Sequence, residues 1–228
     1  MMRRIGILGG MGPEATILIM QKILAGTPAN DDSDHIPLIV DQNTQIPSRI
    51  KHLLEGGTVD PSAALADMAR RLVAGGADVL AMPCNTAHHY ADAIRGAVSV
   101  PMLDMIELSC AHAASLSTNG LVGVLGSPAV RKVGLFDGPL ARHGLKAIYA
   151  EDEDATLTAI RQLKSVGPKP EARAILTAAS EALCARGATV QMIACTEFSL
   201  IPESVSPQAT AFDTLDQLVK EVLLQAKA

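Results

Sequence analysis

Two cysteines in this chain close apolar runs and are followed at once by small hydrogen-bonding residues. One lies in "LAMPCNTAHH" (80–89), the other in "IACTEFSL" (193–200). Cys84 and Cys195 each fall where a buried strand should hand over to a helix. The first N–H groups of a helix have no intrahelical partner and carry the positive end of its dipole. A thiol held there is expected to ionise well below its ordinary pKa of about 8.5. Such a thiolate is a base or a nucleophile at neutral pH. Asn85 and Thr86 follow the first sulfur, and Thr196 and Glu197 the second, as hydrogen-bonding residues. The other two cysteines, Cys110 in "ELSCAHAAS" and Cys184 in "SEALCARGA", stand at helical spacing among apolar residues. They read as small buried hydrophobes.

The elements that must position these groups alternate short β-branched runs with longer Ala/Leu-rich stretches, the pattern of parallel sheets covered by helices. Strands are expected over 4–10, 35–42, 78–83 and 100–105. Helices are expected from Pro13 to about Gly26, over 60–77 with Asp60 as cap and Pro61 in the first turn, and over 85–97. The series then restarts. "GLVGVLGSPAV" (120–130) echoes "RRIGILGGMGP", and "ATVQMIACTE" (188–197) echoes "ADVLAMPCNT". Between them lie a strand over 145–151 and helices near 153–166 and 170–186. A final amphipathic helix spans 213–228.

The stretch from Gly6 to Cys84 is nearly as long as that from Gly123 to Cys195, which indicates an internal duplication. The expected architecture is α/β, with two pseudo-symmetric lobes, each a parallel sheet flanked by helices. Residues 1–103 with 213–228 form one lobe and 104–212 the other. Ligands of open parallel sheets bind at the carboxyl ends of the strands. Both cysteines belong there, which places the active site in the cleft between the lobes. Two thiols on opposite sides of a bound carbon suit inversion, one removing a proton and the other delivering one.

Composition excludes several classes. Of 228 residues 48% are hydrophobic but only 2% aromatic, so the core is aliphatic and stacking platforms for nucleic acid are lacking. A formal charge of −5 argues against phosphate-backbone binding. No stretch approaches the roughly 18 apolar residues of a membrane span. The apolar run after "MMRR" is broken by glycines and Pro13, unlike a secretory signal. Four cysteines in a chain this long do not form a secreted disulfide framework, which favours the cytoplasm.

Three rival chemistries and one non-catalytic reading arise from the same residues. "GMGPEA" (10–15) satisfies the G-x-G-x-x-A pattern of an NAD(P)-binding Rossmann-type oxidoreductase. Pro13, however, removes a donor where a pyrophosphate wants one, and the next acidic strand end, Asp41, comes late. Cys84, His88 and His89 suggest a metal site, but no second cluster completes four ligands. A redox dithiol lacks its Cys-x-x-Cys. The fourth reading is a two-lobe small-ligand-binding protein whose cysteines merely pack.

Taken together, "GILGGMGPEAT", "PCNTAH" and "CTE" resemble the aspartate/glutamate racemase family, particularly its aspartate racemase branch, over nearly the whole chain. The resemblance implies two Rossmann-like lobes, a homodimer, and an amino-acid racemase that uses two cysteines as acid and base, without pyridoxal phosphate, metal or other cofactor. On these motifs Cys84 and Cys195 match the catalytic pair, and Asn85, Thr86 and Thr196 the carboxylate cradle. Met11 and Gly12 lie on the turn lining the same site. Arg49 in "NTQIPSR" is similar to the family's grip on a distal carboxylate, and Lys164 in "IRQLKSVG" to a second cationic contact; the substrate implied is a small amino acid, a dicarboxylate. Ser48 stands where aspartate is common, and Ser127, another lining residue, where threonine is common.

Overall fold

The computed structural model describes residues 2–227. In chain order the elements are β1 (Ile5–Gly9), α1 (Pro13–Gly26), β2 (Leu38–Gln42), α2 (Arg49–Leu54), α3 (Ser62–Ala74), β3 (Val79–Ala81), α4 (Ala91–Ala97), α5 (Met105–Leu116), β4 (Leu121–Gly126), α6 (Pro128–Lys132), α7 (Asp137–Arg142), β5 (Lys146–Tyr149), α8 (Glu153–Val166), α9 (Pro170–Ala185), β6 (Val190–Ala194), β7 (Thr210–Asp213) and α10 (Thr214–Gln225). They form two compact units, Met1–Met105 with Leu215–Ala228, and Ile106–Thr214.

The first unit holds a three-stranded parallel sheet in the order β2-β1-β3, with Ile5 opposite both Leu38 and Val79. All five residues of β1 are buried, as expected of a central parallel strand covered on both faces. Leu8, Leu72, Leu80 and Met82 lie in one apolar cluster with Cys84 and Tyr90, so the core runs directly under the first cysteine. The last helix returns to this unit. The Arg3 amide donates to the Ala226 carbonyl at 2.9 Å, and Lys22 pairs with Asp216 at 2.5 Å. The expected helix over 213–228 is thus α10, preceded by an unforeseen strand; residue 228 lies outside the described residues.

The second unit holds a four-stranded parallel sheet in the order β5-β4-β6-β7. One face carries a cluster with Phe136, Leu140 and Cys110, the other a cluster with Leu163, Leu176, Phe198 and Cys195. With so few aromatics available, Phe136 and Phe198 are the largest fully buried side chains.

The two sheets repeat one order, but the fourth strand differs. The strand expected over 100–105 is reduced to a single bridge between Leu80 and Met102. Pro101 brings no N–H to a ladder, so pairing stops at two bonds, Leu80 N–H to the Pro101 carbonyl and Leu103 N–H to the Leu80 carbonyl, both 2.8 Å. Its counterpart β7 has no proline and pairs four residues with β6. The helix expected over 85–97 also divides, into a 3-10 turn over Thr86–Tyr90 and then α4. Helix α3 is shorter than the expected 60–77. The Asp60 carboxylate accepts from the Ser62 amide at 2.7 Å, and Gly76 closes the helix at φ 94°, a left-handed conformation open to glycine.

Candidate active site

The glycine turn after β1 is held by one threonine. Gly10 N–H donates to Thr16 Oγ1 at 2.8 Å, and that hydroxyl donates onward to the Gly12 carbonyl at 3.3 Å. Gly10 has φ 89°, and a Cβ there would lie 2.3 Å from the Asn43 carbonyl oxygen. The turn therefore needs glycine for both conformation and space. Met11 is buried, Gly12 caps α1, and Pro13 occupies its first position. The Gly10 amide is spent inside the turn, and Asp41 is held by Arg71 through bonds of 2.7 and 3.0 Å. Neither is arranged for the pyrophosphate and ribose of a dinucleotide.

Arg49 opens α2. Ser48 caps that helix, its hydroxyl accepting from the Lys51 amide at 3.2 Å. One guanidinium nitrogen of Arg49 donates to the Pro47 carbonyl at 3.0 Å.

Cys84 is 7% exposed at the end of the β3 run, and Asn85 beside it is 2% exposed. His88, considered in the sequence as a metal ligand beside Cys84, fastens this turn. Its Nε2 accepts from the Met105 amide at 3.3 Å, so Nδ1 carries the proton and donates to the Cys84 carbonyl at 2.9 Å. Burial holds its pKa below the ordinary histidine value, and the ring is neutral. With both ring nitrogens engaged, His88 is not free to ligate a metal beside Cys84. Among the described residues no three His, Cys, Asp or Glu side chains are grouped to hold a metal ion.

In the second unit Gly126 pairs with Ala194, so Ser127 and Cys195 follow neighbouring positions at the ends of β4 and β6. Ser127 is buried at the start of α6. Cys195 is 7% exposed, and its thiol donates to Glu197 Oε2 at 2.9 Å. The other carboxylate oxygen of Glu197 lies 3.2 Å from Lys164 Nζ, in the last turn of α8. Thr196 is buried between the cysteine and the glutamate in sequence. Cys195, Glu197 and Lys164 therefore form one acid–base chain, and Lys164 has a partner that the sequence did not assign to it.

The expectation of a depressed thiol pKa is overturned at Cys195. No long helix follows either cysteine; short 3-10 turns stand there instead, with little dipole to offer. Burial first, then the negative charge and hydrogen bond of Glu197, push the Cys195 thiol well above the ordinary range, with Lys164 opposing. Cys195 rests protonated. All four cysteines are free. Cys110 is buried as expected, but Cys184 is only partly buried, and its sulfur accepts from Gln191 Nε2 at 3.2 Å.

Sequence reasoning missed Thr16, although it had a local signal, standing one turn after the glycines it ties. No helix among the described residues is long and apolar enough to cross a membrane.

Comparison with known proteins gives a consistent result. The family model described as Asp/Glu/Hydantoin racemase matches residues 8–222. The broad specificity amino-acid racemase RacX of Bacillus subtilis is 25% identical over 224 residues, 96% of each chain. Among solved structures, Picrophilus torridus aspartate racemase superposes with a TM-score of 0.85 at 25% identity, covering 99% of this chain and 94% of that one. A glutamate racemase from Francisella tularensis, in complex with D-glutamate, shares the fold with a TM-score of 0.70 at 16% identity, over 96% and 79% of the two chains.

Proposed function

The chain belongs to the Asp/Glu/hydantoin racemase family of isomerases, and from that premise we propose that it racemises a free amino acid with Cys84 and Cys195 as the two bases. The observation that carries this reading is the Cys195–Glu197–Lys164 chain, a buried thiol donating to a carboxylate that a lysine holds. It supplies a protonated sulfur ready to give its proton to carbon.

In one direction the Cys84 thiolate takes the Cα proton, and the C–H electron pair passes into the carboxylate-stabilised carbanion. Cys195 then protonates Cα from the other face and becomes the thiolate. The reverse direction exchanges the roles, and inversion requires the two sulfurs to act on opposite faces. A Cα proton is weakly acidic, so the carboxylate must be met by preorganised donors. Asn85, Thr86, Thr196 and the backbone amides of the two turns fill that role, with Met11, Gly12 and Ser127 as lining. Glu197 orients the Cys195 thiol and accepts its proton when Cys195 must act as base. This chemistry needs no cofactor.

Arg49 grips a second carboxylate on the substrate side chain, where a planar fork binds in two-point fashion. Lys164, with three donors, adds positive charge while holding Glu197. The preferred substrate is therefore a dicarboxylate such as aspartate or glutamate. We place the enzyme in the cytoplasm as a homodimer; the family resemblance and the unbridged cysteines support this.

A panel of L-amino acids followed by polarimetry is the test. Aspartate or glutamate is expected to turn over fastest. Faster turnover of neutral or basic amino acids overturns the dicarboxylate assignment and favours a breadth like that named for the Bacillus relative. No racemisation of any amino acid overturns the function. In heavy water the product enantiomer should carry deuterium at Cα, delivered by the exchanged second thiol.

A further inference from the structure

Helix α2, which carries Arg49, is short and lies only partly buried. Its six residues include none that is fully buried. A helix this short does not hold itself, because nucleation outweighs the few bonds it makes. Its ties include the Ser48 cap, the packing of Leu53 on the core, and a side-chain bond to another element. That bond joins His52 Nδ1 to the phenol oxygen of Tyr90 at 2.7 Å, across 38 residues of sequence.

Tyr90 ends the 3-10 turn that begins two residues after Cys84. It is 5% exposed and belongs to the same apolar cluster as Cys84. The exposed His89 ring packs edge-on against it at 4.9 Å, and the His52 ring lies 5.8 Å away. The phenol lies within electrostatic reach of both Arg49 and Cys84. Burial, then the charge of Asp60, push its pKa up to about 12, so it stays a neutral hydroxyl at any working pH. A neutral phenol both donates and accepts, so it bonds either protonation state of His52.

We propose that Tyr90 and His52 are a positioning pair that sets where Arg49 stands relative to Cys84, and thereby the preference of the site for a second carboxylate. This rests on the reading of Arg49 given above. One end of the pair is fixed by the core beneath the cysteine, the other by the helix that opens with the arginine. Tyr90 touches no reacting atom in this scheme; it acts through α2. Loss of its hydroxyl frees α2 while the ring stays packed, so the effect falls on recognition of the distal carboxylate.

The experiment measures kcat and KM for L-aspartate and L-alanine in the full chain and its variants. Tyr90→Phe is expected to raise KM for aspartate about fivefold, the scale of one lost hydrogen bond, with kcat changed less than about twofold. The aspartate-to-alanine ratio of kcat/KM falls by the same factor. His52→Ala should do likewise, and His52→Asn, which keeps a polar group near the Nδ1 position, should restore the ratio. An unchanged ratio in Tyr90→Phe, or equal losses with both amino acids, overturns the proposal. Arg49→Ala separates the two readings. If it leaves the ratio unchanged, the Arg49 assignment fails and takes the pair with it. If it lowers the ratio while Tyr90→Phe does not, the pair alone fails. Hydrogen exchange supplies a readout independent of turnover. The amides of α2 should exchange faster in Tyr90→Phe while those of α3 do not, and unchanged α2 protection also overturns the proposal.

Discussion

The Cys195 thiol donates a hydrogen bond of 2.9 Å to Glu197, two residues further along the chain. The negative charge that receives this bond also keeps the sulfur protonated. Glu197→Gln removes that charge and should lower the thiol pKa, because the anion that opposed ionisation is gone. Iodoacetamide at pH 8 should then modify Cys195 faster than in the unaltered chain, read by mass spectrometry of the Cys195 peptide. Racemisation should slow by on the order of 10–100-fold, the range of one charge-assisted hydrogen bond. Slower alkylation in the variant would show that Glu197 does not raise the thiol pKa.

Cys84→Ala and Cys195→Ala should each abolish racemisation, by at least on the order of 10³-fold, and the double variant should be little worse. The pair acts as one unit, so removing the second member of a broken pair takes little more. Cys110→Ala should lower stability by about 1–2 kcal/mol and leave turnover per folded molecule intact, because Cys110 is fully buried in the core of the second unit. Full activity in either single variant of the pair would end the two-base mechanism.

His88 makes stability depend on pH. Its folded pKa lies below the ordinary value near 6.5, mainly through burial, with Asp104 raising it and Arg95 lowering it. Between the folded value and about 6.5 the unfolded chain binds the proton and the folded chain does not. Stability from this group is therefore complete above about pH 6.5 and lost as pH falls below it. Urea midpoints measured from pH 7.5 to 5.5 should fall in the unaltered chain and fall less in His88→Gln. Equal slopes in the two proteins would show that His88 is not held neutral.

The glycine turn offers a stability test free of catalysis. Gly10→Ala meets both a positive φ and the Asn43 carbonyl oxygen at 2.3 Å, whereas Gly56→Ala meets a positive φ of 72° with nothing within 4 Å. Gly56→Ala should lower stability by about 1 kcal/mol from backbone strain alone. Gly10→Ala should lower it by about 3 kcal/mol or more, strain and overlap together. Equal losses by urea denaturation would show that Asn43 yields freely.

The sequence by itself determined the alternation of strands and helices, and the two cysteines at strand ends. These are local matters of period, proline and glycine, read within a dozen residues at a time. Helix α8 spans Glu153–Val166 as its pattern indicates, with Asp152 capping through the Ala155 amide at 2.8 Å. Only the tertiary structure decided which groups meet. Lys164 reaches Glu197 because α8 packs in the unit whose central strands include β6. Tyr90 reaches His52 because α2 settles over the cluster under Cys84. The short bridge at Met102 and the full strand β7 look alike as apolar runs and part at one proline. The sign of the Cys195 shift was equally out of reach. A strand-to-helix boundary suggests a depressed thiol pKa, but burial and the Glu197 carboxylate decide the matter; burial is set by packing between residues distant in sequence, and the carboxylate, though only two residues along, is turned onto the sulfur by the folded backbone.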